Sequence, residues 1–276
     1  MIDFPNCKIN LGLNITAKRQ DGYHDLETVF YPIPGLEDTL EIVPRNDDDG
    51  SKCHLYQYGN AIECDAEKNL VVKAYRLLDS RYNLPPTDIH LYKSIPSGAG
   101  LGGGSSDAAF MLKLLNDTYH LGMDTHELET CASSLGADCA FFINDRPAFA
   151  TGIGDVFTPV GLDLKGWQVM IVKPDIFVST KEAFAHINPH RPELSLLDII
   201  GQPVDQWRDI MTNDFEASIF PQHPAIADIK AELYSHGAAY ASMSGSGSSV
   251  YGLFPHDAAL PELNQPDRTF SYSTTL

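Results

Sequence analysis

The chain has 276 residues, of which 43% are hydrophobic, and a formal net charge of −18 at pH 7. A protein this acidic is repelled by nucleic acid backbones and by anionic membrane surfaces, so neither is an expected partner. The first residues lack the basic and apolar regions of a targeting signal, and no apolar run approaches the ~20 residues of a membrane span. We therefore expect a cytoplasmic protein, whose oligomeric state the sequence leaves open.

The cysteines and histidines follow no metal or redox pattern. The five cysteines are odd in number and match no ligand spacing, so we expect reduced thiols. His186 and His190 have a spacing that metal ligands tolerate, but Pro189 lies between them and no acidic partner follows at helical spacing. The sequence therefore identifies no metal ligands.

Strands and helices are both predicted in the first third of the chain. Residues 8–19 begin with strict alternation of apolar and polar side chains, which predicts a strand with one buried face. The following Asp21-Gly22 is a hairpin-turn signal. The further predictions here are a strand at 26–33, a solvated acidic loop at 46–50, a helix at 69–82 and a strand at 88–95.

A glycine-rich segment comes next, with the sequence Pro96-Ser97-Gly98-Ala99-Gly100-Leu101-Gly102-Gly103-Gly104-Ser105-Ser106. Glycines bring backbone N–H groups close to a ligand because no Cβ blocks the approach, and a helix N-terminus adds further donors. We predict such a helix up to Tyr119, with Ser105 or Ser106 as its cap and Asp107 in its first turn. The segment therefore indicates a polyphosphate site; the alternative is a flexible surface loop.

Two common phosphate-binding patterns do not account for this segment. No Lys-Ser or Lys-Thr pair follows the glycines, which excludes a Walker A loop. A dinucleotide fold requires a parallel strand directly after the helix. Here Asp124 and Glu127 instead predict a second helix with a capping box, which Gly136 ends.

The rest of the chain again mixes strands and helices, and this pattern begins again near residues 152–161. The predictions are strands at 139–143, 167–172, 240–243 and 249–254, a helix from Pro224 to Gly237, and a second glycine-rich turn at 244–248. Because strands interleave with helices in both halves, the fold class is α/β or α+β. We predict two domains, residues 1–153 and 154–276.

Three segments resemble the motifs of the GHMP kinase superfamily, which includes galactokinase, homoserine kinase and mevalonate kinase. They are Pro5-Asn6-Cys7-Lys8-Ile9-Asn10-Leu11, the glycine-rich segment 96–106, and Ser242-Met243-Ser244-Gly245-Ser246-Gly247-Ser248. The resemblance implies an α+β fold with a ribosomal-protein-S5-like N-terminal domain, which binds ATP and carries catalysis, and a ferredoxin-like C-terminal domain, which binds the substrate. It also implies ATP and Mg²⁺ as cofactors and a hydroxyl group as acceptor.

Further segments resemble one branch of this superfamily, whose members phosphorylate the 2-hydroxyl of a methylerythritol carried on CDP, in the non-mevalonate route to isoprenoid precursors. These segments are Asp21-Gly22-Tyr23-His24, Asn69-Leu70-Val71, Leu101-Gly102-Gly103-Gly104-Ser105-Ser106 and Leu135-Gly136-Ala137-Asp138. The alternatives are another kinase of the superfamily, such as a homoserine kinase, and a nucleotide-binding protein without catalysis.

The resemblance implies a catalytic pair, Lys8 and Asp138. Asp138 would accept or orient the hydroxyl proton, while Lys8 would keep Asp138 ionised and stabilise developing negative charge. From local sequence alone, Lys8 could equally be a solvated strand charge and Asp138 a turn residue.

The resemblance also implies the substrate-binding residues, which are Asn10, Tyr23, His24, Thr180 and Phe184. Tyr23 and Phe184 would sandwich the cytosine base, and His24 would hydrogen-bond its edge. The alternatives are core packing for Phe184 and a turn-flanking aromatic for Tyr23.

Asn69 and Lys93 match positions near the nucleotide in this branch. Their alternatives are a helix N-cap for Asn69 and a solvated strand end for Lys93. Ser105 and Ser106 would contact phosphate or Mg²⁺, or cap their helix.

Three residues depart from the branch pattern: Cys7 replaces Ala, Ala140 replaces Pro and Asp107 replaces a frequent Asn. Asp107 places a carboxylate near a polyphosphate site, which is unfavourable unless Mg²⁺ or the helix N-terminus offsets it.

Overall fold

A computed structural model describes residues 1–46, 50–60, 65–263 and 269–276. The strands are β1 (Ile2–Asp3), β2 (Asn6–Lys18), β3 (His24–Glu37), β4 (Thr39–Pro44), β5 (Cys53–Gly59), β6 (Thr87–Lys93), β7 (Ala148–Thr151), β8 (Val156–Pro159), β9 (Gln168–Lys173), β10 (Tyr240–Met243), β11 (Val250–Phe254) and β12 (Phe270–Thr275). The helices are α1 (Leu70–Tyr82), α2 (Gly103–Tyr119), α3 (Thr125–Leu135), α4 (Phe141–Asn144), α5 (Thr180–Phe184), α6 (Leu196–Ile200), α7 (Asp214–Ile219) and α8 (Pro224–Ser235). Within the described ranges, every helix is too short or too polar to cross a membrane.

The chain divides into two compact units, and the first consists of Met1–Cys7, Gly35–Ser97 and Gly102–Arg146. Its sheet has the order β1-β4-β6-β5, with β6 antiparallel to β4 and parallel to β5. One face of the sheet is apolar because alternate residues of the strands, such as Leu40 and Leu91, point to the same side and are buried. Helix α2 contacts β4 as well as α1, α3 and α4, so it forms the centre of this unit.

The second unit consists of Lys8–Pro34, Gly98–Leu101 and Pro147–Leu276. It contains two four-stranded sheets with the orders β2-β3-β7-β8 and β10-β11-β9-β12. The second sheet is antiparallel throughout. Segments of the first third of the chain thus belong to the second unit, and the division into domains at residue 153 stays a prediction. The mostly antiparallel pairing and the segregated helices make the fold α+β, as the family resemblance implied.

Several local predictions from the sequence are confirmed. The side chain of Asn69 caps α1 by accepting a hydrogen bond from Val71 N, and Asp124 and Glu127 form the complete capping box of α3. Helix α8 has Pro224 in its first turn, and Gly237 follows it with a φ of +92°. Of the acidic loop predicted at 46–50, residues 47–49 lie outside the described residues.

Three local predictions are wrong. Strand β2 is buried on both faces from residue 6 to residue 15, because the polar side chains of Lys8, Asn10 and Asn14 also lie in the interior. The apolar run at 139–143 forms a turn and the short helix α4 instead of a strand. The periodicity of such a short apolar run does not distinguish a helix from a strand. Helix α2 begins at Gly103 with Gly102 as its N-cap, so neither predicted serine caps it and Asp107 lies beyond its first turn.

Candidate active site

Lys8 lies in the interior of the second unit. Its side chain is only 3% exposed, so the alternative of a solvated strand charge is wrong. The ammonium group donates to Asn10 Oδ1 at 2.6 Å and to the Gly100 carbonyl oxygen at 3.1 Å, and it lies 4.6 Å from the ring centre of Phe30. A buried ammonium group requires such hydrogen-bond acceptors, and these bonds fix its position.

A hydrogen-bond network joins all three motif segments within this unit. Ser244 Oγ donates to the Gly100 carbonyl oxygen at 2.9 Å and accepts from Asn10 N at 3.2 Å. The Asn10 amide group donates to Thr28 Oγ1 at 3.1 Å. Because Lys8 bonds both Asn10 and Gly100, the N-terminal strand, the glycine segment and the C-terminal glycine turn converge on one point.

Gly100 is the position where glycine is required most clearly. Its φ is +75°, and a Cβ built on it would lie 1.9 Å from the carbonyl oxygen of Ser244. Gly98 and Gly102 also have positive φ values, which turn the backbone repeatedly within a few residues. The neighbouring backbone is held by hydrogen bonds from Lys8 N to Leu101 O and from Ser249 N to Ala99 O, at 3.0 and 3.2 Å. These contacts rule out a flexible surface loop.

The segment leads directly into the 17-residue helix α2. The first intrahelical hydrogen bond runs from Ser106 N to Gly102 O, so the N–H groups of Gly103, Gly104 and Ser105 are left without partners in the helix. Such donors and the positive end of the helix dipole suit an anion. Binding of a polyphosphate by this backbone stays a prediction.

Asp138 lies in the turn between α3 and α4 of the first unit, and its side chain is half-buried. The next residue, Cys139, is fully buried; burial raises the pKa of its thiol to about 11, although a hydrogen bond with Ser105 opposes the shift. The turn is thus attached to the first turn of α2 through Cys139. Pairing of Lys8 with Asp138 stays a prediction, as does the effect of Ala140, which is buried beside α4.

The aromatic residues expected around the base lie in the second unit. The rings of His24 and Phe184 are stacked, with centroids 4.7 Å apart and an angle of 21°. Phe184 also meets Phe215 edge to face at 4.8 Å and packs against the hydrophobic core, so core packing is part of its role. Tyr23 is 61% exposed beside the hairpin turn, and Thr180 is exposed at the start of α5. Cytosine binding by these residues stays a prediction.

The two residues expected near the nucleotide are both engaged by other side chains. Asn69 caps α1 and donates through its amide to Gln57 Oε1 at 3.1 Å, which leaves its contact with adenine a prediction. Lys93 is 7% exposed, so the alternative of a solvated strand end is wrong. Its ammonium group donates to Asp38 Oδ2 and to Asp107 Oδ2.

The carboxyl group of Asp107, which departs from the branch pattern, is therefore bonded to Lys93. Burial raises the pKa of Asp107 to about 8, although the neighbouring ammonium group lowers it. Burial lowers the pKa of Lys93, but the attraction of the two carboxylates outweighs this effect and the pKa is raised overall.

Sequence reasoning missed three polar residues of these networks: Thr28, Asp38 and Ser244. Ser244 stands in a recognised motif, but Thr28 and Asp38 carry no local signal because their partners are distant in sequence. Among the described residues, no three His, Cys, Asp or Glu side chains are grouped so that they could hold a metal ion.

Comparison with known proteins identifies related sequences over the full length. The family model for the GHMP kinases N terminal domain matches residues 69–152, and that for GHMP kinases C terminal matches residues 197–265. The 4-diphosphocytidyl-2-C-methyl-D-erythritol kinase of Bacteroides thetaiotaomicron is 60% identical over 276 residues, which cover 100% of both chains.

Solved structures show the same relationship. A crystal structure of 4-(cytidine 5'-diphospho)-2C-methyl-D-erythritol kinase matches with a TM-score of 0.78 and 29% identity, over 99% of this chain and 98% of that chain. A homoserine kinase from Cytophaga hutchinsonii matches with a TM-score of 0.67 and 17% identity, over 98% and 94% of the two chains. The second similarity concerns the fold alone.

Proposed function

The chain belongs to the GHMP kinase family and is a small-molecule kinase, and we propose that it transfers the γ-phosphoryl group of ATP to the 2-hydroxyl group of 4-diphosphocytidyl-2-C-methyl-D-erythritol. The observation that carries the proposal is the full-length similarity to the 4-diphosphocytidyl-2-C-methyl-D-erythritol kinase of Bacteroides thetaiotaomicron. The convergence of the three motif segments around Lys8, Asn10 and Gly100 supports it, because the ammonium group that we assign to catalysis is buried there and held by hydrogen bonds.

ATP supplies the phosphoryl group when bound, and the protein contributes position and charge. The N–H groups at the start of α2 and the turns of segment 96–106 would bind the phosphates. Gly100 lets the segment approach Ser244 closely, which holds these turns in place, because any side chain there would collide with Ser244. We also place Asn69 and Lys93 near the nucleotide. Asn69 would lie there as the residue that caps the start of α1. Lys93 would act by holding the backbone next to the glycine-rich segment.

Lys8 would stabilise the charge that develops on the transferred group, because its ammonium group is buried and fixed by two acceptors. Asp138 would accept or orient the proton of the acceptor hydroxyl. Asn10 would hold the Lys8 ammonium group through its Oδ1 atom and border the acceptor.

Mg²⁺ is the expected metal cofactor and would enter with the triphosphate. Mg²⁺ keeps several waters and commonly takes only one or two protein ligands beside substrate phosphates. The described residues suit this mode better than a cage of protein ligands, since they contain no group of three acidic or histidine side chains.

The cytidyl part of the acceptor would be bound by Tyr23, His24, Thr180 and Phe184. Phe184 is supported from behind by Phe215 and the core, so its ring has a fixed orientation. The exposed Tyr23 ring is available for stacking on a base. The net charge of −18 supports small molecules as partners rather than nucleic acid or membranes. We also infer a cytoplasmic protein.

The test is a coupled assay of ADP release with Mg·ATP, in which 4-diphosphocytidyl-2-C-methyl-D-erythritol, homoserine and mevalonate are compared as acceptors. We expect turnover with the cytidyl acceptor alone. Turnover with homoserine or mevalonate and none with the cytidyl acceptor would overturn the proposed acceptor while keeping the kinase chemistry. Binding of ATP without turnover of any acceptor would support a non-catalytic protein.

A further inference from the structure

The buried residues Asp38, Lys93 and Asp107 form a charge cluster in the first unit, at the two ends of the glycine-rich segment. Asp38 is completely buried, and Lys93 and Asp107 are 7% and 3% exposed. The Lys93 ammonium group donates to Oδ2 of both carboxylates, and its distance from Asp107 Oδ2 is 2.5 Å. Three ionisable groups thus share one buried space.

Asp38 holds the chain where it enters the glycine-rich segment. Its Oδ1 atom accepts hydrogen bonds from Ser94 N at 2.6 Å and from Ile95 N at 2.9 Å. Its own N–H group donates to Pro5 O at 2.8 Å. Asp38 therefore holds the two residues between the end of β6 and Pro96. The backbone of Asp38 is itself held by its bond to Pro5.

Lys93 connects this entry to the exit of the same segment, because Asp107 belongs to helix α2. The first residue of that helix, Gly103, packs directly on the entry: a Cβ built on it would lie 2.9 Å from Ile95 Cγ2 and 3.5 Å from Lys93 Nζ. The strand before the segment and the helix after it are therefore held side by side, by one ammonium group and by close packing.

Stability of the fold alone does not require such a cluster. Two carboxyl groups and one ammonium group lose their hydration when buried, and well-packed apolar residues of similar volume are commonly at least as stabilising. In addition, Asp107 Oδ1 is buried with no hydrogen-bond partner among the described residues, which is a further cost. What a charged network provides in return is directional hydrogen bonding, which fixes a backbone geometry.

We propose that Asp38 is a positioning residue for the phosphoryl donor: through Lys93 and Asp107 it fixes the spacing between the two ends of segment 96–106 and thereby the arrangement of N–H groups that binds the triphosphate. The inference rests on the proposed function in that the segment binds ATP. In this arrangement two of the three N–H groups of the Lys93 ammonium are bonded to carboxyl oxygens, so Lys93 acts on the nucleotide mainly through the backbone.

The experiment measures binding of a non-hydrolysable ATP analogue with Mg²⁺ by calorimetry, in the full-length protein and without an acceptor. The Asp38→Asn variant keeps an oxygen for Ser94 N and Ile95 N but replaces the acceptor of Lys93 by an amide. We expect its affinity for the analogue to fall about tenfold, while KM for the acceptor changes less than twofold. Asp79→Asn is the matched control, because Asp79 pairs with Lys52 in the same unit on α1, away from the segment.

A double-variant cycle separates positioning from general destabilisation. If Asp38 acts through Lys93, Asp38→Asn combined with Lys93→Met should weaken binding no more than Lys93→Met alone. A lowered melting temperature with analogue affinity within twofold of wild type would overturn the proposal and leave the cluster a purely structural feature. Should Asp38→Asn fail to fold, Lys93→Met decides in the same way, since methionine fills a similar volume.

The two proposals fail independently. Normal binding of the analogue without turnover of the cytidyl acceptor would overturn the proposed function and leave the role of Asp38 open to the same binding test. Turnover of that acceptor by an Asp38→Asn variant with unchanged analogue affinity would overturn the role of Asp38 alone.

Discussion

The imidazole ring of His24 is stacked on the phenyl ring of Phe184, with centroids 4.7 Å apart. The edge of Phe215 meets the Phe184 ring at nearly a right angle, 87°, and supports it. A base that stacks on the face of Phe184 now covered by His24 must first displace the imidazole ring. Among the described residues, no aromatic ring stacks on the exposed ring of Tyr23. Removal of the Tyr23 ring is therefore the cleaner test of base stacking.

We predict that Tyr23→Ala raises KM for the cytidyl acceptor by about tenfold, within the ~1–3 kcal/mol that stacking of one base contributes. KM for ATP and the melting temperature should change little, because the Tyr23 side chain is 61% exposed. Steady-state kinetics with each substrate varied in turn gives both constants. Tyr82→Ala, a change of another exposed tyrosine at the end of α1, serves as control; an equal rise of KM there would point to a nonspecific effect.

Lys8→Met should lower kcat by about 10²-fold or more, the usual effect of removing a group that stabilises transition-state charge. The methionine side chain suits the buried position, so the fold should persist and circular dichroism should be unchanged. Lys18→Met is the matched control, because Lys18 is an exposed residue at the end of the same strand. Near-normal turnover in Lys8→Met would show that Lys8 has no part in catalysis.

Gly100→Ala should abolish activity and destabilise the protein strongly, because the added Cβ would lie 1.9 Å from Ser244 O at a φ of +75°. The control is Gly122→Ala, where φ is +73° but no atom lies within 4 Å of the added Cβ. That change should cost only the ~1–2 kcal/mol of left-handed backbone strain. Thermal unfolding of both variants compares the two costs. Similar losses would show that the segment adapts to the added methyl group.

The stability of the wild type should depend on the ionisation of Asp107. Its carboxyl pKa is raised by burial from 3.8 to about 8, so between these values the folded state binds a proton that the unfolded state releases. The contribution of this group to the free energy of unfolding therefore falls as pH rises from about 4 to about 8 and is constant above that range.

Asp107→Asn removes this dependence but keeps an oxygen for Lys93. Its free energy of unfolding, relative to that of the wild type, should rise with pH up to about 8 and then level off. Denaturant titrations at several pH values measure the difference. If the two curves ran parallel between pH 5 and pH 9, the assigned protonation of Asp107 would be wrong.

Local signals predicted those parts of the fold that depend on neighbouring residues. The caps at Asn69 and Asp124 are correct because an N-cap side chain bonds an N–H group two or three residues away. The glycine-rich segment is also predictable from local sequence. Positive φ values and close backbone approach favour glycine, so the residue types themselves indicate this conformation.

What the sequence could not predict depends on distant partners. The burial of both faces of β2 follows from side chains that come much later in the chain, such as Ser244, which bonds Asn10. Asp38 has no local signal, since its partner Lys93 is 55 residues away. The run at 139–143 was assigned to the wrong element because a short apolar run suits a buried helix turn as well as a strand.

Strand β2 is held by residues that are synthesised much later than the strand itself. Leu13 N donates to Thr212 O, and the Tyr251 hydroxyl donates to Asn10 O across 241 positions of the chain. At ~5–20 residues per second, the ribosome needs about 10–50 s to make that interval. During this time, strand β2 can pair with β3 but lacks the contacts that Thr212 and Tyr251 provide, so a nascent chain stalled before Tyr251 presents an incompletely packed strand that chaperones or proteases can engage.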